Sequence, residues 1–421
     1  MNPFPQIDRR RFLHGLAAGS ALAVLPPPLR ASGPAPSSPG PAAPPDYQGP
    51  NLILIRFGGG ARRLESIDPQ HTFAPFLVHE LARRGTLFQD MRISQFVPTT
   101  LEGAHGKRTQ IDTSHGQGTL YLISGKYEKF RDVHHEHPEL GFRFLGARFE
   151  SKVPTVFEQL RKSFEVPDHQ TLIVNSEDRG DEEFYNFSNH HLYGANYRSH
   201  TLSLRRFKTH LLRRRIAAGE WEGSELERQI EELKKLEALD YRVTEREGQG
   251  AEIEAFWEEW RDYYGETGLV NPRGDRLLTE LTLRAMKRLR PRLLMVNYTD
   301  CDYVHWGYMS HYTRAISIMD EGIRRIVEAA EQDEFYRDNT VFVVVPDCGR
   351  DNNPLVAVPC QHHFNSRSAR EIFALLVGPG IGRNRVVDAE VNQIQVAATI
   401  GRIMRFDTPY AEGGPLEQAF A

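Results

Sequence analysis

Met295-Val296-Asn297-Tyr298-Thr299-Asp300-Cys301-Asp302-Tyr303-Val304-His305-Trp306-Gly307 is the stretch on which the fold turns. The apolar run Leu293-Leu294-Met295-Val296 leads into it and predicts a buried strand. The loop that follows gathers Asp300, Cys301, Asp302 and His305. Carboxylate, thiolate and imidazole are the side chains that bind zinc-like cations. In parallel α/β sheets, ligands sit just beyond the carboxyl ends of strands. Two later stretches repeat the arrangement. Val341–Val345 runs into Pro346-Asp347-Cys348-Gly349, and Cys360-Gln361-His362-His363 precedes the strand-like Ile372–Val377. These segments are expected to converge on one site.

Composition sets the frame. A chain of 421 residues, 40% hydrophobic and 26% charged, fits one large α/β domain with insertions, or two domains. A net charge of -4 gives no case for nucleic acid. The three cysteines, Cys301, Cys348 and Cys360, all fall in the candidate site segments. A metal role competes there with a Cys348–Cys360 disulfide and one free thiol.

Upstream, Asn51–Ile55 reads as a buried strand that enters Arg56-Phe57-Gly58-Gly59-Gly60-Ala61-Arg62-Arg63. The glycine run permits a tight turn and close backbone approach to a ligand. It lacks the spacing of a dinucleotide fingerprint. Pro75–Arg84 predicts a helix, with Gly85 as its C-cap. Thr113 and Ser114, ahead of His115-Gly116-Gln117-Gly118 and an apolar run, are either helix caps or a nucleophile at a helix N-terminus. His134, His135 and His137 read as a solvated loop, and Asn189-His190-His191 as cleft lining or local hydrogen bonding. Leu202–Leu239 is charged, with leucines at helical spacing, and predicts an inserted helical hairpin. Helices are also expected over Val156–Phe164, Leu277–Leu289, Tyr312–Ala330 and Val391–Met404. Strands alternating with helices imply an α/β fold with a mostly parallel, doubly wound sheet.

At the N-terminus, Asp8-Arg9-Arg10-Arg11-Phe12-Leu13-His14 resembles the twin-arginine export signal. The apolar stretch Leu16–Leu25 suits a signal h-region and is shorter than the ~20 apolar residues of a spanning helix. A disordered basic tail is the alternative. Residues 1–31 are therefore expected to be a signal peptide, 32–50 a Pro/Ala-rich linker, and 51–421 one domain with a helical insertion at about 185–265. The implied partner is the twin-arginine translocase and the implied location periplasmic or extracellular. No stable membrane span is expected.

Several motifs together resemble sulfatases and phosphodiesterases of the alkaline phosphatase superfamily. They are Asn51–Ile55 with its glycine turn, Leu81–Phe88, Leu122-Ile123-Ser124-Gly125-Lys126-Tyr127, Asp302 and His305 with Gly307, Val343–Gly349, and His362 or His363 ahead of Gly378-Pro379-Gly380. Gly58–Pro69 and Ser114-His115 resemble a twin-arginine-exported branch of that superfamily. The resemblance implies an alkaline phosphatase-like sandwich over about residues 51–405. It implies one or two divalent cations, zinc first, with manganese, calcium or iron as alternatives. One set would be Asp302 (or Asp300), His305 and His363 (or His362). The second would use Asp347, Cys348 and the nucleophile.

Departures from the pattern set two readings apart. The carboxylate expected at the end of the first strand is glycine, around Gly59–Gly60, with Glu65 or Asp68 as substitutes. Cys348 stands at a histidine position, and His115 aligns with the nucleophile. In the first reading the chain hydrolyses phosphate or sulfate esters, with Ser114 as nucleophile and Thr113 as its understudy. Arg62, Arg63 and Lys126 would hold the anionic group, and His190 and His191 would shape the pocket. In the second it binds a metal and an anionic ligand, such as a sulfated or phosphorylated glycan, without hydrolysis. A third and weaker reading is a scaffold using the charged helices.

Overall fold

The sheet is built around the first strand of the chain. β1 (Asn51–Arg56) is buried along its whole length. Ile53 and Ile55 point into one apolar cluster, and Leu52 and Leu54 into the other. Successive side chains of a strand alternate between faces. A run apolar on both parities is therefore a strand covered on both sides. Each such side chain contributes about 1.5–3 kcal/mol on burial.

The computed structural model describes residues 45–93, 113–127, 131–132, 149–176, 185–237, 250–266, 274–305, 308–351, 360–362 and 366–421. The strands are β1, β2 (Gly85–Arg92), β3 (Arg131–Asp132), β4 (Phe149–Glu150), β5 (Thr171–Asn175), β6 (His200–Leu202), β7 (Leu293–Asn297), β8 (Thr340–Val345), β9 (Glu371–Val377), β10 (Arg385–Val387) and β11 (Val391–Asn392). The helices are α1 (Arg63–Ser66), α2 (His115–Ser124), α3 (Val156–Ser163), α4 (Leu204–Ala217), α5 (Gly223–Glu237), α6 (Ala251–Tyr264), α7 (Asp275–Leu289), α8 (Met309–Gln332), α9 (Arg367–Arg370) and α10 (Gln395–Met404). β3 and β4 pair in a ribbon of their own. The main sheet runs β10-β2-β9-β8-β1-β7-β5-β6, with β11 also on β2. Its pairings are parallel except on either side of β9, which runs the other way. The fold is thus a mostly parallel, helix-covered α/β sandwich.

Register places the functional loops. Arg56 pairs with Asn297 on one side and with Val345 on the other. The three chains therefore leave the sheet side by side, about 4.8 Å apart. β9 contributes in the opposite sense. Being antiparallel, it begins at the edge where β1, β7 and β8 end, so the segment before it arrives at the same edge. On one face of the sheet α7 and α8 join the core cluster; on the other, α2, α3 and α10 do. Among the described residues, no helix is long and apolar enough to cross a membrane.

The structure departs from the periodicity in two places. Phe76–Leu81 winds as a π-helix and Ala82–Arg84 as a 3₁₀ turn. Gly85 is not a left-handed cap: its φ is −146°, and pairing with Val377 draws it into β2. The final helix starts at Gln395, because Val391–Asn392 is taken up beside β2. The charged region forms α4 and α5, joined by pairs such as Lys208–Glu232 at 2.8 Å. The signal segment, residues 32–44 of the linker, His134, His135, His137 and His363 lie outside the described residues.

The start of the π-segment is fixed from a distance. Asp320 of α8 accepts the N–H groups of Phe76 and Leu77 at 3.0 and 2.8 Å. Burial pushes its carboxyl pKa up to about 6. Asp320→Ala is expected to cost about 1–3 kcal/mol in urea denaturation, since two buried donors lose their acceptor. The folded value lies above the ~3.9 of an unfolded Asp, so this group's contribution falls as pH rises from about 4 to about 6. Asp320→Asn should flatten the stability curve in that window; an unchanged curve would contradict the assignment.

Candidate metal centre

Three imidazoles converge on one carboxylate. His115 is the first residue of α2, His305 and Asp302 lie in the loop after β7, and His362 lies ahead of β9. Asp302 Oδ1 is 2.5 Å from His115 Nε2, 3.0 Å from His305 Nε2 and 3.3 Å from His362 Nε2. The Nε2 atoms of His305 and His362 are 3.0 Å apart. The other ring nitrogens of two of these histidines are held by acceptors. His115 Nδ1 faces Asp347 Oδ2 at 2.7 Å, and His362 Nδ1 donates to the Thr113 carbonyl at 2.9 Å. An acceptor on Nδ1 fixes the tautomer and aims the Nε2 lone pair, the usual support of a metal-ligating histidine.

This donor set fits a cation. Around a tetrahedral zinc with bonds of ~2.05 Å, ligand atoms lie about 3.3 Å apart. His115, Asp302, His305 and His362 bring ligand atoms within 4.8 Å of one another, and His115, Asp347 and Cys348 form a looser second cluster that shares His115. His305 is the most open of the four, its side chain 26% exposed against 10%, 5% and 0% for His115, Asp302 and His362. Access is therefore from the His305 side.

The electrostatics are those of buried ion pairs. Burial disfavours the His115 cation, but Asp302 and Asp347 outweigh it and raise its pKa well above the usual range. Burial likewise opposes ionisation of Asp302, yet His115 first, with His305 and His362, holds its carboxyl far below the normal value. Asp347 is held low against burial by His115 and then Arg56. Burial, reinforced by Asp347, pushes the Cys348 thiol up to about 12. All three cysteines are free and buried. The weighed disulfide is absent, and Cys360 Sγ instead sits 3.3 Å from Met309 Sδ.

The other candidates from the sequence have contacts of their own. Asp300 turns to the start of α7, accepting the Asp275 N–H at 3.1 Å, while Asp275 Oδ2 accepts the Asp300 N–H at 2.9 Å. Burial and then Asp300 push the Asp275 carboxyl up to about 8. The Thr113 hydroxyl donates to the His362 carbonyl. Ser114 is the N-cap of α2 and makes no capping bond through its side chain. Arg62 forks onto Glu65. Arg63 ties β2 to β9 through Asp90 at 2.7 Å and the Ile372 carbonyl at 2.9 Å. Lys126 follows the far end of α2, about 15 Å along the helix from His115, and pairs with Glu412 at 3.7 Å. His190 stacks on His191 and meets Tyr410 edge-on. Asp68 is paired with surface His71. Of these, Thr113 touches the first group, through His362.

Sequence reasoning missed Arg350, which follows the Asp347-Cys348-Gly349 turn directly. It is fully buried. Its guanidinium donates to the carbonyls of Gly60 at 2.9 Å, Val304 at 2.9 Å and Cys301 at 2.6 Å, and also to those of Gly59 and Cys360. The glycine turn must itself lie close. Gly59 and Gly60 have φ of +86° and +75°, and a Cβ would fall 2.5 Å from the Asp302 nitrogen and 2.9 Å from the Gly349 carbonyl, respectively. Arg350→Met is expected to lower stability by at least about 3 kcal/mol, because several buried carbonyls lose a charged donor. Urea denaturation would read this loss, and a change under about 1 kcal/mol would contradict the bracing role.

No family model matches the chain, and no curated protein does. Solved structures match it. A protein of the alkaline phosphatase superfamily from Vibrio parahaemolyticus aligns over 90% of this chain and 72% of its own, at 13% identity and a TM-score of 0.51. A 2-O GAG sulfatase aligns over 88% of this chain and 74% of its own, at 10% identity and a TM-score of 0.50. At such identities the likeness is one of fold, and the fold is that of the alkaline phosphatase superfamily.

Proposed function

We propose that this chain is an exported, metal-dependent hydrolase of phosphate or sulfate esters. One observation carries the reading: three imidazole Nε2 atoms converge on Asp302, two of them aimed by acceptors on Nδ1. His115, Asp302, His305 and His362 would hold a divalent cation. An imidazole-rich set favours zinc over calcium, with manganese and iron between. When bound, the cation supplies polarisation of an ester oxygen and a lowered pKa for a hydroxyl or water.

The protein's own groups do the positioning. Asp347 fixes the His115 ring, and the Thr113 carbonyl fixes the His362 ring. The Thr113 hydroxyl is committed to the His362 carbonyl, which leaves Ser114 as the nucleophile. Ser114 caps a ten-residue helix, whose N-terminal N–H groups favour an anionic ester. The sulfatase likeness extends to the fold alone, so it does not choose between sulfate and phosphate. Support for export, through the twin-arginine translocase to the periplasm or cell exterior, comes from Asp8–His14. The Gly58–Pro69 and Ser114-His115 resemblance supports the exported branch. A second reading, a binder of anionic glycans without turnover, is favoured by His115 filling the aligned nucleophile position.

Metal content and turnover separate the two. The folded chain is expected to retain zinc through dialysis, Asp302→Ala to lose it, and Ser114→Ala to lower aryl phosphate or sulfate ester turnover about 10²-fold or more. Tightly held metal without turnover of either ester class would favour the binder, and no metal under any loading would sink both. Zinc binding at pH 7 should also release protons, because the carboxylates keep His115 protonated before metal arrives. Calorimetry in buffers of different ionisation enthalpy checks this, and affinity should weaken as pH falls.

A further inference from the structure

The resemblance implies one or two cations, and the second group of donors does not fit one. We infer that the centre takes a single cation, and that the guanidinium of Arg56 stands as a fixed charge in place of the second. The inference rests on the metal reading of the first group.

Arg56 is the last residue of β1 and is fully buried. Its Nη1 lies 3.5 Å from Asp347 Oδ2, the same oxygen that faces His115 Nδ1 at 2.7 Å. The guanidinium is tied from two elements. Nη1 donates to Thr119 Oγ1 of α2 at 2.7 Å, and Nη2 to the Tyr298 carbonyl beyond β7 at 3.2 Å. Arginine does not give up its proton in proteins. A cation bound through Asp347 Oδ2 would therefore stand beside a permanent like charge. The other oxygen, Oδ1, accepts the N–H groups of Cys348 at 2.8 Å and Gly60 at 3.3 Å.

The rest of the set is also incomplete. The carboxylate expected after β1 is absent, and the turn has no room for one. A Cβ on Gly60 would lie 2.9 Å from the Gly349 carbonyl, and one on Gly59 2.5 Å from the Asp302 nitrogen. Glu65 is held by Arg62, and Asp68 is paired at the surface with His71. Cys348 Sγ is 3.9 Å from His115 Nδ1. Arg56 neutralises Asp347, and Asp347 turns the His115 ring toward Asp302. Arg56 is thus a positioning residue for the first group as well as a bar to a second cation.

The test loads the full chain with cobalt(II), and separately with zinc(II), removes the excess, and measures metal content and the cobalt spectrum. About one equivalent is expected, without thiolate-to-cobalt charge-transfer absorption. Arg56→Met should admit a second equivalent and bring in that absorption, which Arg56→Met with Cys348→Ser should abolish. Arg56→Lys keeps the charge and should stay at one equivalent. Two equivalents in the unaltered chain would overturn the inference while leaving the first group's metal reading intact. So would a folded Arg56→Met that still takes one. Zero equivalents in the unaltered chain would instead overturn the metal reading itself, and this inference with it. If Arg56→Met does not fold, the stoichiometry and spectrum of the unaltered and Arg56→Lys chains still decide.

Discussion

The hydrogen bonding of Arg350 is the constraint on which the centre depends. Its side chain is out of water, and its guanidinium reaches carbonyls of the glycine turn after β1, the loop after β7 and the segment before β9. Three chain segments that the sheet only brings to one edge are thereby locked to one another. Backbone carbonyls buried at loop ends need donors, and a planar five-donor group supplies them from one point. The two glycines matter for the same reason, since any side chain there would hold the loops apart.

Charge is arranged in two tiers around that brace. Asp302 and Asp347 flank His115, and Arg56 backs Asp347. Removing any one partner would leave another buried charge without its counterion, which costs more than the pair itself contributes. The centre is therefore organised by the protein's own ion pairs, and two of its histidines are aimed by groups that are not themselves in the first donor set.

What the sequence made legible was set by what repeats. Apolar runs of both parities announced β1, β7, β8 and β9, and the Asp, Cys and His residues clustered after or before them. The direction of β9 was not legible, because an apolar run carries no sign; only pairing with β8 and β2 gives it one. Asp300 and Asp302 could not be ranked from spacing. Their side chains part because one accepts from the first N–H of α7 and the other meets the histidines. Arg56 and Arg350 were passed over for a shared reason. Neither carries a pattern that marks a charged residue for burial, and both are fully buried. The anionic-contact role given to Arg63 and Lys126 came from charge alone, and each charge has a carboxylate partner of its own.

The central position of β1 also bears on how the chain can assemble. Its neighbours β7 and β8 arrive late: Leu52 pairs with Leu293, and Asn51 with Thr340. The Arg350 bonds to Gly60 and Gly59 span 290 and 291 residues. A ribosome releasing this chain exposes β1 first and supplies both flanking strands only after more than 230 further residues. Loop-closure entropy across such separations delays pairing and leaves open sheet edges in the interval. The nascent protein is thus a long-lived client for whatever shields unpaired strands, and its centre is among the last features to form.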